Sequence, residues 1–457
     1  MTTTNEPTRQ SPPVLVGRRE RLPSFRTESL RTTLWLVPTV LVVLAVALFL
    51  VTYEVDRGAT DGGISLPGWL NHGGPDAARA ILTAIAAAVI TVVGVVFSIT
   101  IVALTLASTQ FGPRMLRNFI RDVGTQVTLG VFVATFVFCV LALGSVSSAP
   151  AVDFVPHISV TVALALTLVD LGVLIYFIHH VAKSIQITEV IGGIARDLGR
   201  ALQTVAYEAN EARMGDQAAV LRAVSLDEVQ RRLDEAGAEI AAATSGYLQA
   251  IDHLRLVRIA AKHGAVIRIA HRPGHFVVKG RPLAIVWPAG AAPGIDRAMQ
   301  RAHAVGPSRT LAQDLQFAID QLVEIAIRAL SPAVNDTYTA VTCIDWLGDA
   351  MCKLVSSGLP DGIYRDGRGQ IRLVEQALTY DRVINRAFDK IRQAGRGMPA
   401  VMIRQLENLA KVAEYATTDD QRRIVSRQAA MVMRSADESV AEPHDVEAVA
   451  DAYDLVA

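Results

Sequence analysis

The chain has 457 residues, 51% hydrophobic and only 19% charged, with 44 basic residues balancing 44 acidic ones and a mean hydropathy of +0.33. A soluble domain carries about a quarter charged residues, so an ordinary soluble protein is excluded, and neutrality excludes a strongly basic nucleic-acid binder. Three cysteines build neither a disulfide framework nor a four-ligand zinc site.

The charges are unevenly placed. Residues 1–180 hold 11 Lys and Arg with 10 Asp and Glu, whereas residues 181–457 hold 33 and 34. The first part is membrane-like and the second has an ordinary soluble proportion. The expected fold is mainly α: a four-helix polytopic membrane region (32–180), then a cytosolic α+β domain with a small β module and a helical C-terminal part.

The tail over 1–31 is rich in Pro, Thr and Arg, lacks periodicity and is expected to be disordered. Four apolar stretches then meet the requirement of roughly 20 residues for a spanning helix, at 32–53, 80–111, 125–145 and 157–178. A signal peptide does not fit the first stretch, which follows some 30 polar residues and has too long an apolar core. The second lies in an uncharged run of about 51 Å as a helix, against roughly 30 Å of hydrocarbon, so it must tilt, bend or project. Basic residues sort by loop. Arg9, Arg18, Arg19, Arg21, Arg26 and Arg31 precede span one, Arg114, Arg117 and Arg121 follow span two, and Lys183, Arg196 and Arg200 follow span four. The intervening loops carry only Arg57 and Arg79, which predicts both termini on the cytoplasmic side.

Three features within the spans invite functional readings. Thr91, Gly94, Ser98, Ile101, Thr105 and Ser108 recur at steps of three and four, a small and hydroxylated stripe on one helix face. Close helix packing and a polar pathway wall in an oligomer both account for it. Asp170 is an acid inside span four, where a charge costs at least about 2.5 kcal/mol, so it is a candidate proton or ion site or a buried hydrogen-bonding partner. His179 and His180 close span four, as interfacial residues or as a pH sensor.

Residues 181–237 read as a helical connector, with helices over 185–212 and 226–236, and a helix running straight out of the membrane couples the two halves. Residues 238–290 read as a small β module with strands at 239–243, 246–251, 265–270, 275–278 and 283–286 and a helical insertion at 253–262. The piece Gly264–Val286, with its corner Pro273–Leu283, is similar in pattern to half of a biotinyl/lipoyl-type barrel. The modified lysine of those carriers has no counterpart, so carrier chemistry is not expected. Residues 291–457 read as helical. A helix over 308–330 ends at Ser331-Pro332, because the residue before proline avoids helical geometry. Asn335 or Asp336 then serves either as N-cap of the next helix (337–355) or beside a bound anion at that terminus. Three or four amphipathic helices follow from 379, broken near 395–399 and 442–443.

No P-loop, dinucleotide-binding glycine pattern, HExxH, nucleophile elbow or kinase signature is present. No cofactor, metal or catalytic residue is therefore expected, and nothing points positively to an enzyme.

The segments Phe97–Thr100, Ser108–Arg114, Asn118–Asp122, His179–Gln186, Arg272-Pro273-Gly274 and Ala329–Asp336 together resemble a bacterial predicted-membrane-protein family, domain of unknown function 2254. The resemblance runs over nearly the whole chain after the tail, with Gly112 where Ser is expected and Thr337 where Pro is expected. It implies an inner-membrane location and four spans, and brings no activity with it. Taken together, these features lead to an oligomeric channel- or transporter-like protein, with Thr91, Ser98, Thr105, Ser108 and Asp170 as pathway or ion candidates and the cytosolic domain regulating it. The alternative is a membrane-anchored sensor or scaffold that binds a partner or small ligand through its cytosolic domain, and the third reading is an enzyme of lipid or envelope metabolism. The expected partners are the lipid bilayer, further copies of the chain and an unidentified small ion or ligand.

Overall fold

The computed structural model describes residues 35–60, 73–111, 122–149, 152–213, 224–311 and 313–456. The tail over 1–31 and the arginine-bearing loop 114–121 lie outside the described residues. The four apolar stretches form helices α1 (Leu36–Thr60), α2 (Pro75–Phe111), α3 (Val123–Ser145) and α4 (His157–Ser184), each long and apolar enough to cross a membrane. In hydrocarbon only a helix satisfies every backbone group within one segment, and threonine hydroxyls return their hydrogen to the turn before. Thr91, Thr100, Thr105 and Thr167 all donate to the carbonyl four residues back.

The bundle core is aromatic and small: Phe132, Phe138 and Phe177 are buried, and Phe49 meets Phe138 edge-on at 6.1 Å. A short hairpin, β1 (Ser147–Ala149) with β2 (Val152–Phe154), joins α3 to α4. α2 is unbroken over 37 residues, about 55 Å, and reaches into the C-terminal domain. The excess length seen in the sequence is thus a projection.

After Ile185 and Gln186, α5 (Ile187–Arg213) continues from α4. Then come α6 (Leu226–Ala236), β3 (Ala238–Ala241), β4 (Gly246–Ile251), α7 (His253–Lys262), β5 (Val266–Ile269), β6 (Phe276–Val277), β7 (Pro282–Trp287), α8 (Ala292–Met299) and β8 (His303–Gly306). Next are α9 (Leu315–Ala329), α10 (Thr337–Ser357), β9 (Ile363–Arg365) and β10 (Ile371–Glu375). The chain closes with α11 (Tyr380–Ala394), α12 (Pro399–Tyr415), α13 (Asp419–Ser439) and α14 (Pro443–Asp454).

The strands form a five-stranded sheet, β3-β7-β5-β10-β9, and a three-stranded one, β6-β4-β8. β10 runs parallel to β5, with Leu373 opposite Ile267. The β structure therefore does not end at residue 290, since strands more than 70 residues further along complete its larger sheet. The period-2 alternation of β5 shows how the sheet is covered. Ile267 and Ile269 face the core shared with α7 (Leu256, Ala260), while Val266 faces α6 (Val229, Leu233) and Arg268 pairs with Asp234 at 2.6 Å.

α9 to α14 form a separate helical core, and α5 is built into it through Ile191, Ile194, Leu198 and Leu202. The steps of three and four residues between them place all four on one face of the helix. Close approaches fix the packing. A Cβ at Gly348 of α10 would stand 2.1 Å from Asn408 Oδ1 of α12, so only glycine admits that contact.

Candidate functional site

The stripe on α2 turns outward. Thr91, Gly94, Ser98, Ile101 and Thr105 are exposed in the protomer, so they do not pack against α1, α3 or α4. Ser108 belongs to the same helix, but its side chain is outside the described residues. Asp170 turns the other way. It is 4% exposed inside the bundle, where Oδ1 accepts from the Thr135 hydroxyl of α3 at 3.1 Å and Oδ2 has no hydrogen-bond partner. The stripe and the acid thus do not share one surface of the protomer.

Two further acids tie the bundle at its ends. Asp56, 2% exposed in the last turn of α1, accepts from the backbone N–H groups of Ile158 (2.7 Å) and Ser159 (3.0 Å) and from the Ser159 hydroxyl (2.8 Å). Pro156 gives α4 no side-chain cap, so the cap comes from a helix a hundred residues away. At the opposite end Asp122 caps α3 through Thr125 N–H (2.9 Å) and meets His180 Nε2 at 2.7 Å, with Tyr176 stacked on the imidazole. Burial alone would raise Asp122; its hydrogen bonds with Thr125 and His180 outweigh that and hold it below the usual carboxylate range. His180 is thus half of an interhelical pair.

The SPAVND turn between α9 and α10 divides its two polar residues. Asp336 caps α10, accepting from Thr339 N–H (3.1 Å) and from the Thr339 hydroxyl (2.6 Å). Asn335 takes the left-handed conformation (φ 51°), which Asn tolerates better than most residues.

A cavity of about 100 Å³ opens where the connector, the β module and the helical core meet. Ala201, Thr204 and Val205 of α5 form one wall, and Gln313 and Gln316 at the start of α9 another. The turn Arg272-Pro273 and the pair His253 and Glu375 complete it. His253 Nε2 lies 2.9 Å from Glu375 Oε2, and its ring stacks on Tyr364 at 4.5 Å. Gln313 imitates a strand, accepting from Ile251 N–H (2.8 Å) and donating to Ile251 C=O (3.0 Å).

Arg272 is 8% exposed, and its Nε and Nη2 donate to no protein group; Gln316 Nε2 is likewise buried without a partner. Burial, together with nearby Arg382, holds this guanidinium below the ordinary arginine range, only partly opposed by Glu375 and Asp314. Its neighbours are saturated. Arg309 grips Asp314 through Nε (2.7 Å) and Nη2 (2.9 Å), and Arg386 grips Asp320 through the same two atoms (both 2.6 Å). Asp314 also caps α9 through Phe317 N–H (3.1 Å). It fills the space a side chain would need at Gly274 (φ +93°), where a Cβ would stand 2.1 Å away. Burial and the charge of Arg272 push His275 down to about 4, so at neutral pH its Nδ1 is free to face the Arg272 N–H at 3.4 Å. Among the described residues no group of three or more His, Cys, Asp or Glu is placed to hold a metal ion.

Comparison with known proteins places this architecture. The profile of a family described as predicted membrane protein, DUF2254, matches residues 31–411. The chain belongs to the DUF2254 family. An uncharacterized protein of Mycobacterium bovis and one of Mycobacterium tuberculosis are each 34% identical to it over 382 residues, 82% of this chain and 71% of theirs. No solved structure matches.

Within this DUF2254 chain three of the motifs quoted from the sequence fall at structural joints: His179–Gln186 at the passage from α4 to α5, Arg272-Pro273-Gly274 at the cavity, Ala329–Asp336 at the turn between α9 and α10. Arg272 could be read from the sequence only as part of a turn. Its burial arises from α5 and α9, which pack around it from about 70 residues before and 45 after. Asp56 carried a weak local signal: an acid in the last turn of an apolar helix, and downstream a helix that begins after Pro156 without a capping side chain.

Proposed function

We propose that this protein is a membrane-anchored sensor whose C-terminal domain binds a small ligand in the junction cavity and transmits its presence to the spans. The observation that carries this reading is the double placement of α5. Ile191, Ile194, Leu198 and Leu202 lock it into the helical core, Ala201 and Val205 both touch that core and, with Thr204, line the cavity, and the helix follows α4 after two residues. A ligand that contacts α5 biases the helix that follows α4 in the chain and is built into the helical core, which is what a switch requires. The arginine bias of the loops supports a cytoplasmic position for this domain and an inner-membrane location.

The test is to fill the cavity. Ala201→Trp in the full chain, reconstituted in nanodiscs, is expected to alter hydrogen exchange along residues 187–200 and in the last turns of α4. Exchange unchanged beyond the cavity wall would reject the coupling.

A second reading, an oligomeric channel- or transporter-like assembly, is favoured by the outward stripe Thr91, Gly94, Ser98 and Thr105, which would line or abut an axis between copies. Asp170 enters that reading as a separate intramembrane ion or proton site. Flux assays in proteoliposomes test it: no ion passing above the level of empty vesicles sinks it.

A further inference from the structure

We propose that the junction cavity binds a small oxyanion, a carboxylate or phosphate group, on the Nε–Nη2 edge of Arg272, with the Gln316 amide as a third donor. This rests on the reading of the cavity as a ligand pocket and names the chemistry it selects.

Buried charges are paired, because an unpaired one loses its hydration with nothing in return. Arg272 breaks that rule at a cavity wall. The atoms left over are its Nε and Nη2, the edge that takes a carboxylate side-on with two parallel bonds. The same domain shows that edge filled twice, Arg309 on Asp314 and Arg386 on Asp320, each with both bonds at or below 2.9 Å. On Arg272 the same two atoms, buried at the cavity wall, carry no carboxylate.

The nearby acids are committed elsewhere. Glu375 is held by His253, and Asp314 by Arg309 and the α9 N-terminus. The third partnerless atom, Gln316 Nε2, is again a donor. The side-chain atoms of this wall that are fully buried without a partner are therefore all N–H donors, so an occupant that satisfies them must bring acceptors. A cation would meet Arg272 with Arg382 behind it, and an apolar occupant would leave all three donors unpaired. A volume of about 100 Å³ holds several water-sized groups, enough for phosphate or a small carboxylate. The position of Arg272 is also built in advance, since its turn seats on Asp314 only because residue 274 is glycine.

The full chain in nanodiscs is titrated separately with sodium phosphate and sodium acetate, at constant chloride, by isothermal calorimetry. Saturable one-to-one binding of either is expected: phosphate binding assigns a phosphoryl ligand and acetate binding a carboxylate. Arg272→Met should abolish it. Arg272→Lys, which keeps the charge but loses the fork, should weaken it about thirtyfold, and Gln316→Leu about fivefold. Without anion, Arg272→Met should melt no lower than wild type, because it removes an unpaired buried charge. No saturable binding of either anion, or equal binding by wild type and Arg272→Met, would overturn the proposal. A spin label on α5 in the same samples separates the two claims. Binding that depends on Arg272 with unchanged α5 mobility upholds the site and sinks the coupling.

Discussion

Replacing Asp56 with alanine removes the only side-chain cap of α4 among the described residues and leaves two backbone N–H groups without their acceptor, while the Ser159 hydroxyl keeps only Thr52 Oγ1 at 3.1 Å. Capping losses average about 1 kcal/mol, and hydrogen bonds to a charged group contribute about 1.5–3 kcal/mol net. The three bonds share one carboxylate and one helix end, so they do not add in full, and a total cost of about 3 kcal/mol follows. Water replaces such a cap poorly here, because Asp56 and Ser159 are 2% and 0% exposed. Asp56→Asn keeps the volume and one acceptor oxygen, and about half the loss is expected. Ser159→Ala removes the hydroxyl contacts with Asp56 and Thr52 and should cost about 1 kcal/mol. The assay is reversible unfolding in mixed micelles, with helix content read against the mole fraction of denaturing detergent. Asp56→Ala within about 0.5 kcal/mol of wild type, or Asp56→Asn as damaging as Asp56→Ala, would refute the reasoning.

Three further outcomes are expected. Asp170→Asn should be near neutral for stability, since one oxygen still accepts from Thr135 and the group it replaces has no partner, whereas Thr135→Val should cost about 1 kcal/mol in the same unfolding assay. Gly274→Ala should cost at least about 2 kcal/mol by thermal melting, because the new methyl meets Asp314 and the backbone there is left-handed. His275 sits at about 4 when folded and near 6.5 when unfolded. The unfolded chain therefore binds the extra proton first, so stability falls as pH drops from about 6.5 to 4, by on the order of 2 kcal/mol at this partly exposed site. His275→Gln should flatten that part of the stability profile. A bound anion on Arg272 should make that fall smaller, because it offsets the charge that disfavours the imidazolium and brings the folded value closer to the unfolded one.

The two ends of the apolar bundle are closed by different chemistry. Asp56 accepts from two backbone N–H groups and a serine hydroxyl. Asp122 meets the imidazole of His180 at 2.7 Å. Both joints lie where α4 begins or ends, the helix that leads into α5 and hence to the cavity wall.

Much of the fold is legible from local pattern. Four apolar runs specify helices, because hydrocarbon permits little else, and the structure places them within a few residues of the expected bounds apart from longer ends. The insertion at His253–Lys262, the strand at Gly246–Ile251 and the start of α10 at Thr337 also follow from periodicity and turn residues. What local pattern does not contain is the completion of the sheet by β9 and β10, since a short strand paired parallel to one a hundred residues earlier leaves no periodic trace. The same holds for the candidate sites. That Asp170 is intramembrane is visible in composition, but that it faces inward while the α2 stripe faces outward depends on how the helices rotate as they pack. Arg272 is one of many arginines along the chain. It becomes a candidate ligand-binding residue only because α5, α9 and the β module converge on it and leave two of its donors unanswered. Hydrophobic period is a property of neighbouring residues and is written in the sequence; the pairing of a buried charge is a property of three-dimensional proximity, and only the tertiary structure decides it.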